Sequence, residues 1–172
     1  MSVKAYSIHY GLAHVDNRAY KREINPVPLA DKDAHTMAYI ARKEGFDVRH
    51  VRINEDATCR QFKDDFETIV KKMKEGDILK FSFAGHGTQV PDISGDEDDE
   101  PNDRGQKFDE GFCFYDGIII DDTVAEMLAT IPKGCYFIGM IDCCYSGEAF
   151  RYKIDGLQPS KTRIQELVDS FA

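Results

Sequence analysis

The sequence lacks several features that would each place it in a familiar class of protein. None of its five cysteines forms a Cys-x-x-Cys pair, so zinc-ribbon and thioredoxin-like sites are excluded. No apolar run approaches the roughly 20 residues of a membrane-spanning helix. Lys and Arg number 22 against 31 Asp and Glu, and the net charge of −9 argues against a non-specific nucleic-acid binder, which needs a basic surface.

The marks of a secreted protein are missing as well. Five cysteines are an odd number, and one vicinal pair among them does not suit a disulfide framework. Residues 1–15 have neither a long apolar core nor a small-residue cleavage pattern, so we expect no signal peptide. The cysteine usage therefore predicts a reduced, cytoplasmic protein.

The chain does contain enough material for one domain with a hydrophobic core. It has 172 residues, of which 42% are hydrophobic and 31% are charged, as in soluble globular proteins. We find no internal repeat and no boundary of a second domain, so residues 1–172 are expected to form a single unit. A net acidic charge is compatible with a cationic substrate or a bound cation.

Apolar runs alternate with amphipathic helical segments along the chain. Strands are predicted at 3–10, 46–53, 77–84 and 134–141, and helices at 31–44, from Thr58, from Thr123 and from Thr162. In the last three cases a Thr is followed three residues later by Gln or Glu, which is the capping-box spacing. This alternation predicts an α/β fold with a mostly parallel sheet covered on both faces.

Two motifs follow predicted strands. Gly85-His86-Gly87 comes after the third strand, and Asp142-Cys143-Cys144-Tyr145-Ser146-Gly147 comes after the fourth. Sites in parallel α/β sheets lie outside the carboxyl ends of the strands, so these motifs are expected to meet there.

A thiol beside an imidazole is the arrangement that a cysteine hydrolase needs. A free thiol has a pKa of roughly 8.5 and is mostly protonated at neutral pH, so His86 would act as its base. The amides of Gly87 and Cys144 would polarise the scissile carbonyl group. Taken singly, a cysteine is more often a small buried apolar residue and a histidine an ordinary polar one. Cys143 competes with Cys144 for the nucleophile role, because the spacing does not show which of the two points inward.

The two motifs resemble those of caspase-like cysteine peptidases, above all the large catalytic subunit of metacaspases and orthocaspases. Metacaspases carry Ser-Gly-His-Gly and Asp-x-Cys-His-Ser-Gly, and the similarity extends over about residues 3–150. The resemblance implies a three-layer α/β/α sandwich and an endopeptidase. It also implies that Cys144 is the nucleophile, that His86 is its base and that Cys143 is a bystander.

The resemblance further implies an acidic substrate pocket. The matching positions are Asp142, two residues before the nucleophile, and Asp33 in the first helix. Ala84 stands where the family often has Ser, and Ala30 where it often has Cys. Two buried carboxylates facing a pocket need a cation, so cleavage after Arg or Lys is expected. The alternative roles are a helix cap for Asp33 and a turn residue for Asp142.

A calcium site is the third implication of the resemblance. Asp109 matches one family ligand, Asp121 and Asp122 match a ligand pair, and carboxylate oxygens suit Ca²⁺. Arg151 occupies the position of a further acidic ligand and would oppose a cation. Glu148 is the candidate substitute for that ligand. The alternative reading makes the aspartate pair an ordinary helix start.

Two remaining segments bear on function. The insert at 88–111 is rich in acidic residues, Gly and Pro, and is predicted to be a loop beside His86. Few residues follow 150, so the chain is expected to lack the small-subunit strands of caspase-like sheets and to need a small subunit or second chain.

A catalytically silent regulatory module is the alternative function. A cysteine phosphatase fits poorly, because six residues rather than five separate Cys144 from Arg151.

Overall fold

A computed structural model describes residues 3–91 and 108–144 of the chain. These residues form seven strands, three α-helices and two short 3-10 helices at Asn17–Ala19 and Asn54–Asp56. The strands and α-helices run in the order β1 (Ala5–Gly11), α1 (Ala30–Lys43), β2 (Asp47–Ile53), α2 (Cys59–Val70), β3 (Ile78–Ala84), β4 (Gly87–Pro91), β5 (Phe108–Phe114), β6 (Gly117–Ile120), α3 (Asp121–Ala129) and β7 (Tyr136–Asp142).

The main sheet has four strands in the order β2-β1-β3-β7, and every neighbouring pair is parallel. The predicted α/β fold with a mostly parallel sheet is therefore confirmed. Each of its four strands lies within two residues of a predicted run. No strand follows β7 in the described residues, so this part of the chain lacks the small-subunit strands of a complete caspase-like sheet.

The two faces of the sheet carry different side chains because strand residues alternate in direction. One face presents Ile8, Tyr10, Phe81 and Phe83, which pack with Phe62 of α2 into a buried aromatic cluster. The Tyr10 and Phe62 ring centroids lie 5.4 Å apart in an edge-to-face arrangement, a favoured geometry for aromatic pairs. The aromatic cluster therefore forms the centre of the core.

Helix α1 covers the other face, and small residues let it lie close. Its buried positions are all alanines, at 30, 34, 38 and 41. A Cβ at Gly11 of β1 would overlap the Ala30 carbonyl oxygen and lie 2.8 Å from the Ala34 Cβ. The start of α1 is thus held against the carboxyl end of β1.

The start of α1 bears on the alternative role of Asp33 as a helix cap. The N-cap is Leu29, in the left-handed region with a φ of 77° and with no side-chain hydrogen bond. The amide of Asp33 donates to the Leu29 carbonyl oxygen at 3.0 Å. Asp33 therefore lies inside the first turn, and the helix-cap role for its side chain is wrong.

Of the capping boxes within the described residues, one is confirmed and one is wrong. Thr58 caps α2, and its hydroxyl accepts from the Gln61 amide at 3.1 Å. Helix α3 starts at Asp121, two residues before the predicted Thr123, with Ile120 as its N-cap. Asp121 and Asp122 occupy the first turn, where negative charge is favoured by the helix dipole. The predicted helix from Thr162 lies outside the described residues.

The prediction of a loop over the whole insert is wrong at both ends. β4 pairs antiparallel with β5, and β5 with β6, to form a second sheet of three strands. Four of the seven β5 residues are consecutive and buried, from Gly111 to Phe114. The acidic composition hid these strands, because the charged residues concentrate at 92–107, outside the described residues. Among the described residues no helix is long and apolar enough to cross a membrane.

Candidate active site

The two motifs meet at the carboxyl ends of β3 and β7. Ala84 and Asp142 are Cα partners in the parallel register, and the Gly85 amide donates to the Asp142 carbonyl oxygen at 3.2 Å. His86 and Cys144 each follow two residues later. Since adjacent strands lie about 4.8 Å apart, the segments that carry His86 and Cys144 start from the same level of neighbouring strands.

Gly87 brings the two segments into direct contact. A Cβ at this position would overlap the Cys144 carbonyl oxygen and lie 2.8 Å from the Cys144 carbonyl carbon. The same Cβ would lie 3.2 Å from the Cys143 Sγ. Only glycine lets these two backbones approach so closely. The two amides predicted to polarise the substrate carbonyl thus belong to backbones in contact, and their role stays a prediction.

The vicinal cysteines have opposite environments. Cys143 is half-buried and packs against the hydrophobic core, whereas Cys144 is exposed. Burial, with smaller contributions from Cys144 and Cys113, raises the pKa of the Cys143 thiol to about 12. A thiol with so high a pKa stays protonated at neutral pH and is a poor nucleophile. The geometry therefore favours Cys144 for the nucleophile role, a distinction that strand alternation alone left open.

His86 is held by two backbone groups that sequence reasoning missed. Its Nε2 lies 2.7 Å from the Asn25 carbonyl oxygen, and its own carbonyl oxygen accepts from the Cys113 amide at 2.9 Å. Because a carbonyl oxygen can only accept, Nε2 must carry a hydrogen. In the neutral ring Nδ1 is then the acceptor, as a base for a thiol requires.

The loop that supplies Asn25 is itself tied down. The Ile24 amide donates to the Asn17 Oδ1 at 2.7 Å, and the Asn17 Nδ2 donates to the Ile24 carbonyl oxygen at 3.4 Å. The Val27 amide donates to the Ala13 carbonyl oxygen at 2.9 Å. A polar loop with two prolines gave no sequence signal for this role, because the group that contacts His86 is backbone.

A cavity of about 520 Å³ opens beside the strand ends, between the first turns of α1 and strands β3 and β7. All three residues predicted to bind substrate line this cavity: Asp33, Ala84 and Asp142. Both aspartates are exposed, so the expected pair of buried carboxylates is wrong. Helix α1 leaves β7 uncovered, and the cavity is open to solvent for that reason. Two carboxylates on one concave surface still attract a cation.

The residues of the predicted calcium site are only partly assembled. Asp109 and Asp122 line one cavity of about 920 Å³ beside β4 and β6. Asp121 is buried, and its carboxylate accepts from the Asp122 amide at 3.1 Å. Burial raises the pKa of Asp121. Within residues 3–91 and 108–144, no three His, Cys, Asp or Glu side chains are arranged to hold a metal ion.

A family model for the metacaspase, peptidase C14 domain matches residues 30–153, which is well over half of the chain. The chain belongs to the metacaspase family. The match takes in the strand ends, the Gly87 contact and the cavity described above. The predicted resemblance to metacaspases, a family of cysteine peptidases, is therefore confirmed.

Individual relatives agree with the family match. Metacaspase-1 of Yarrowia lipolytica is 39% identical over 88 residues, which cover 47% of this chain and 17% of that protein. Metacaspase-1 of Schizosaccharomyces pombe is 32% identical over 114 residues, which cover 63% of this chain and 26% of that protein. The chain thus spans about a quarter or less of the length of these relatives.

A solved structure supports the fold. The crystal structure of a protein from Geobacter sulfurreducens superposes with a TM-score of 0.73 at 33% sequence identity. The match covers 84% of this chain and 52% of that one. The metacaspase-type chain described here therefore corresponds to about half of the bacterial protein.

Proposed function

We propose that this chain is the catalytic part of a cysteine endopeptidase that cleaves peptide bonds after Arg or Lys. The observation that carries the proposal is the contact of Gly87 with Cys144, on strand ends paired through Ala84 and Asp142. That contact supports the dyad, because Gly87 directly follows the proposed base His86 and Cys144 is the proposed nucleophile. Family membership in the metacaspases supports the same chemistry.

In the proposed reaction His86 acts first as a base and then as an acid. Nδ1 of His86 takes the proton from the Cys144 Sγ, and the thiolate attacks the carbonyl carbon of the scissile bond. The amides of Gly87 and Cys144 hold the negative oxygen that forms. The imidazolium then gives its proton to the leaving amine, and an acyl-enzyme remains. Water deprotonated by His86 attacks this thioester and releases the second product and the thiol.

The cavity beside the strand ends supports the choice of a basic residue before the scissile bond. Asp33 and Asp142 give it negative charge, and Ala84 leaves room between them. An ionised Arg or Lys side chain complements two carboxylates, whereas an acidic side chain would be repelled. The proposal therefore predicts no cleavage after Asp.

The test is hydrolysis of fluorogenic peptides ending in Arg, Lys or Asp before the reporter. We expect Cys144→Ala to lose at least about 10³-fold in kcat, because the nucleophile is gone. The matched control is Cys143→Ala, which removes the neighbouring thiol and should keep most of the activity. A wild-type chain that cleaves no basic peptide, with or without calcium, would instead favour the regulatory module.

Calcium activation is proposed with a separate test, since the described residues hold no complete ligand set. The candidate ligands remain Asp109, Asp121 and Asp122, and no step above depends on the ion. Calorimetric titration of Ca²⁺ into wild type and Asp122→Asn would detect binding directly. Identical heats in the two proteins would remove Asp122 from the candidate ligands.

We also propose that a small subunit or a second chain packs beside β7. On β7 the side chains of Ile138 and Met140 are 39% and 43% exposed. Sedimentation of wild type and Ile138→Asp tests the packing, and a fully active wild-type monomer would contradict it.

We further propose that the enzyme works in the reducing cytoplasm. All five cysteines are free thiols, which supports this location.

A further inference from the structure

A buried hydroxyl group lies at the bottom of the acidic cavity. Ser82 precedes Ala84 by two residues on β3, so its side chain lies on the same face, about 6.6 Å further into the sheet. Ser82 is only 4% exposed, yet it lines the cavity together with Asp33 and Asp142. Ala84 lines the same cavity and carries only a methyl group, so Ser82 is the β3 residue that offers a side-chain hydrogen-bonding group there.

The Ser82 hydroxyl belongs to a small buried hydrogen-bond network. His9 of β1 is the Cα partner of Ser82 and is fully buried. Its Nδ1 lies 2.7 Å from the Ser82 Oγ, and its Nε2 lies 3.0 Å from the Ser7 Oγ. The network thus joins the pocket floor to β1, and Ser7 lies at its far end, away from the cavity.

We propose that Ser82 is the floor of the specificity pocket and accepts a hydrogen bond from a substrate arginine, with His9 as the positioning residue for its hydroxyl. This inference rests on the proposed function and adds a residue to it. The inference also predicts that the enzyme prefers Arg over Lys before the scissile bond. A guanidinium has five donors in a planar fork, which can satisfy two carboxylates and a hydroxyl together, whereas an ammonium concentrates its donors at one point.

The network has one arrangement of hydrogens that suits a cation. If the Ser82 oxygen accepts from the substrate, its own hydrogen needs an acceptor, and Nδ1 of a neutral His9 provides it. The Nε2 hydrogen then goes to the Ser7 Oγ, so both ring nitrogens of His9 and the Ser82 hydroxyl have partners. Burial, with the charges of Lys80 and Arg42, lowers the pKa of His9 to about 4. The ring is therefore neutral at physiological pH and puts no positive charge under the pocket.

The matched pair Ser82→Ala and Ser7→Ala tests the inference. Each variant removes one hydroxyl group that forms a hydrogen bond with His9, but only Ser82 lines the cavity. We expect Ser82→Ala to lower kcat/KM for an Arg peptide about tenfold, mainly through KM, as befits a lost hydrogen bond to a charged group. The loss for the matched Lys peptide should be smaller, so the Arg-to-Lys ratio falls. Ser7→Ala should keep the wild-type ratio.

His9→Leu tests the positioning role, because leucine has a similar size and no hydrogen-bond acceptor. We expect it to reproduce the lowered Arg-to-Lys ratio of Ser82→Ala, because the Ser82 hydroxyl loses the Nδ1 acceptor that orients it. Thermal unfolding of all three variants separates this from a general loss of stability, which would change the activity towards both peptides equally. If His9→Leu does not fold, the Ser82 and Ser7 pair still decides the role of Ser82.

A second measurement separates failure of this inference from failure of the proposed function. Binding of agmatine, a small guanidinium probe, is followed by NMR in wild type, Ser82→Ala and Ser7→Ala without any turnover. Weaker binding only in Ser82→Ala supports the pocket floor even if no peptide is cleaved. An active wild type whose Ser82→Ala variant keeps the Arg-to-Lys ratio and the agmatine affinity overturns the inference and leaves the peptidase in place.

Discussion

The two faces of the parallel sheet differ in what they contribute. The face towards α2 is packed with buried aromatic rings such as Phe81 and Phe83. The face towards α1 carries Ser7, His9 and Ser82 under a helix of small residues, and its β7 end stays open. One face therefore supplies most of the stability, and the other has room for polar groups and a pocket.

Phe81→Ala should give the largest effect, because it breaks the aromatic face. The ring is 2% exposed and lies 5.2 Å from the Phe62 centroid. We expect a loss of about 3–5 kcal/mol in the free energy of unfolding, the usual range for Phe→Ala in a core. Urea denaturation measures it. Met140→Ala, on the open end of the other face, is the control and should change stability by less than about 1 kcal/mol.

Gly87→Ala should impair the site while leaving the aromatic face intact. The new methyl group would overlap the Cys144 carbonyl oxygen and push the nucleophile out of line. We expect kcat to fall about 10²-fold, the scale of an ångström-size misplacement. Circular dichroism should remain that of wild type. Full activity in this variant would show that the contact of the two backbones is unimportant for catalysis.

The polar face should make the folded state sensitive to acid. His9 has a pKa of about 4 when folded and 6.5 when unfolded, so the unfolded chain binds the proton more readily. Stability is present above the unfolded pKa and falls as the pH drops, by about 2 kcal/mol between pH 8 and pH 5. His50, whose pKa burial also lowers, adds to the same trend. Urea denaturation of His9→Asn at several pH values across this range should show that the free energy of unfolding falls less steeply with falling pH than in wild type. An unchanged pH dependence would contradict the low pKa of folded His9.

Asn17→Ala should give the smallest effect, because it acts through a loop. It removes the two hydrogen bonds to Ile24 that tie down the segment carrying Asn25. We expect kcat/KM to fall about threefold with stability nearly unchanged, as for a modest net loss of hydrogen bonding. Peptide hydrolysis and thermal unfolding measure the two quantities. Thr130→Ala, which loses an exposed hydrogen bond to the Met127 carbonyl oxygen at the end of α3, is the control.

Local patterns predicted the main sheet because β1, β3 and β7 are largely apolar runs and Gly or polar residues bound the strands. The same patterns failed where partners decide the structure. β5 is a strand because β4 and β6 supply its hydrogen bonds, although the acidic residues nearby indicate a loop. Asp33 lies in the first turn of α1 rather than capping it, because Leu29 adopts the left-handed conformation there.

The sequence by itself determined the order of strands and helices, the two motifs at the strand ends, and the family to which they belong. These features depend on local periodicity and on residue types at short spacings. Tertiary structure alone decided that Cys143 faces the core while Cys144 faces solvent, and that the Asn25 carbonyl group sets the tautomer of His86. It also placed the buried Ser82 under the acidic cavity. The reason is that burial and hydrogen-bond partners arise between residues far apart in the chain, where sequence spacing carries no distance information.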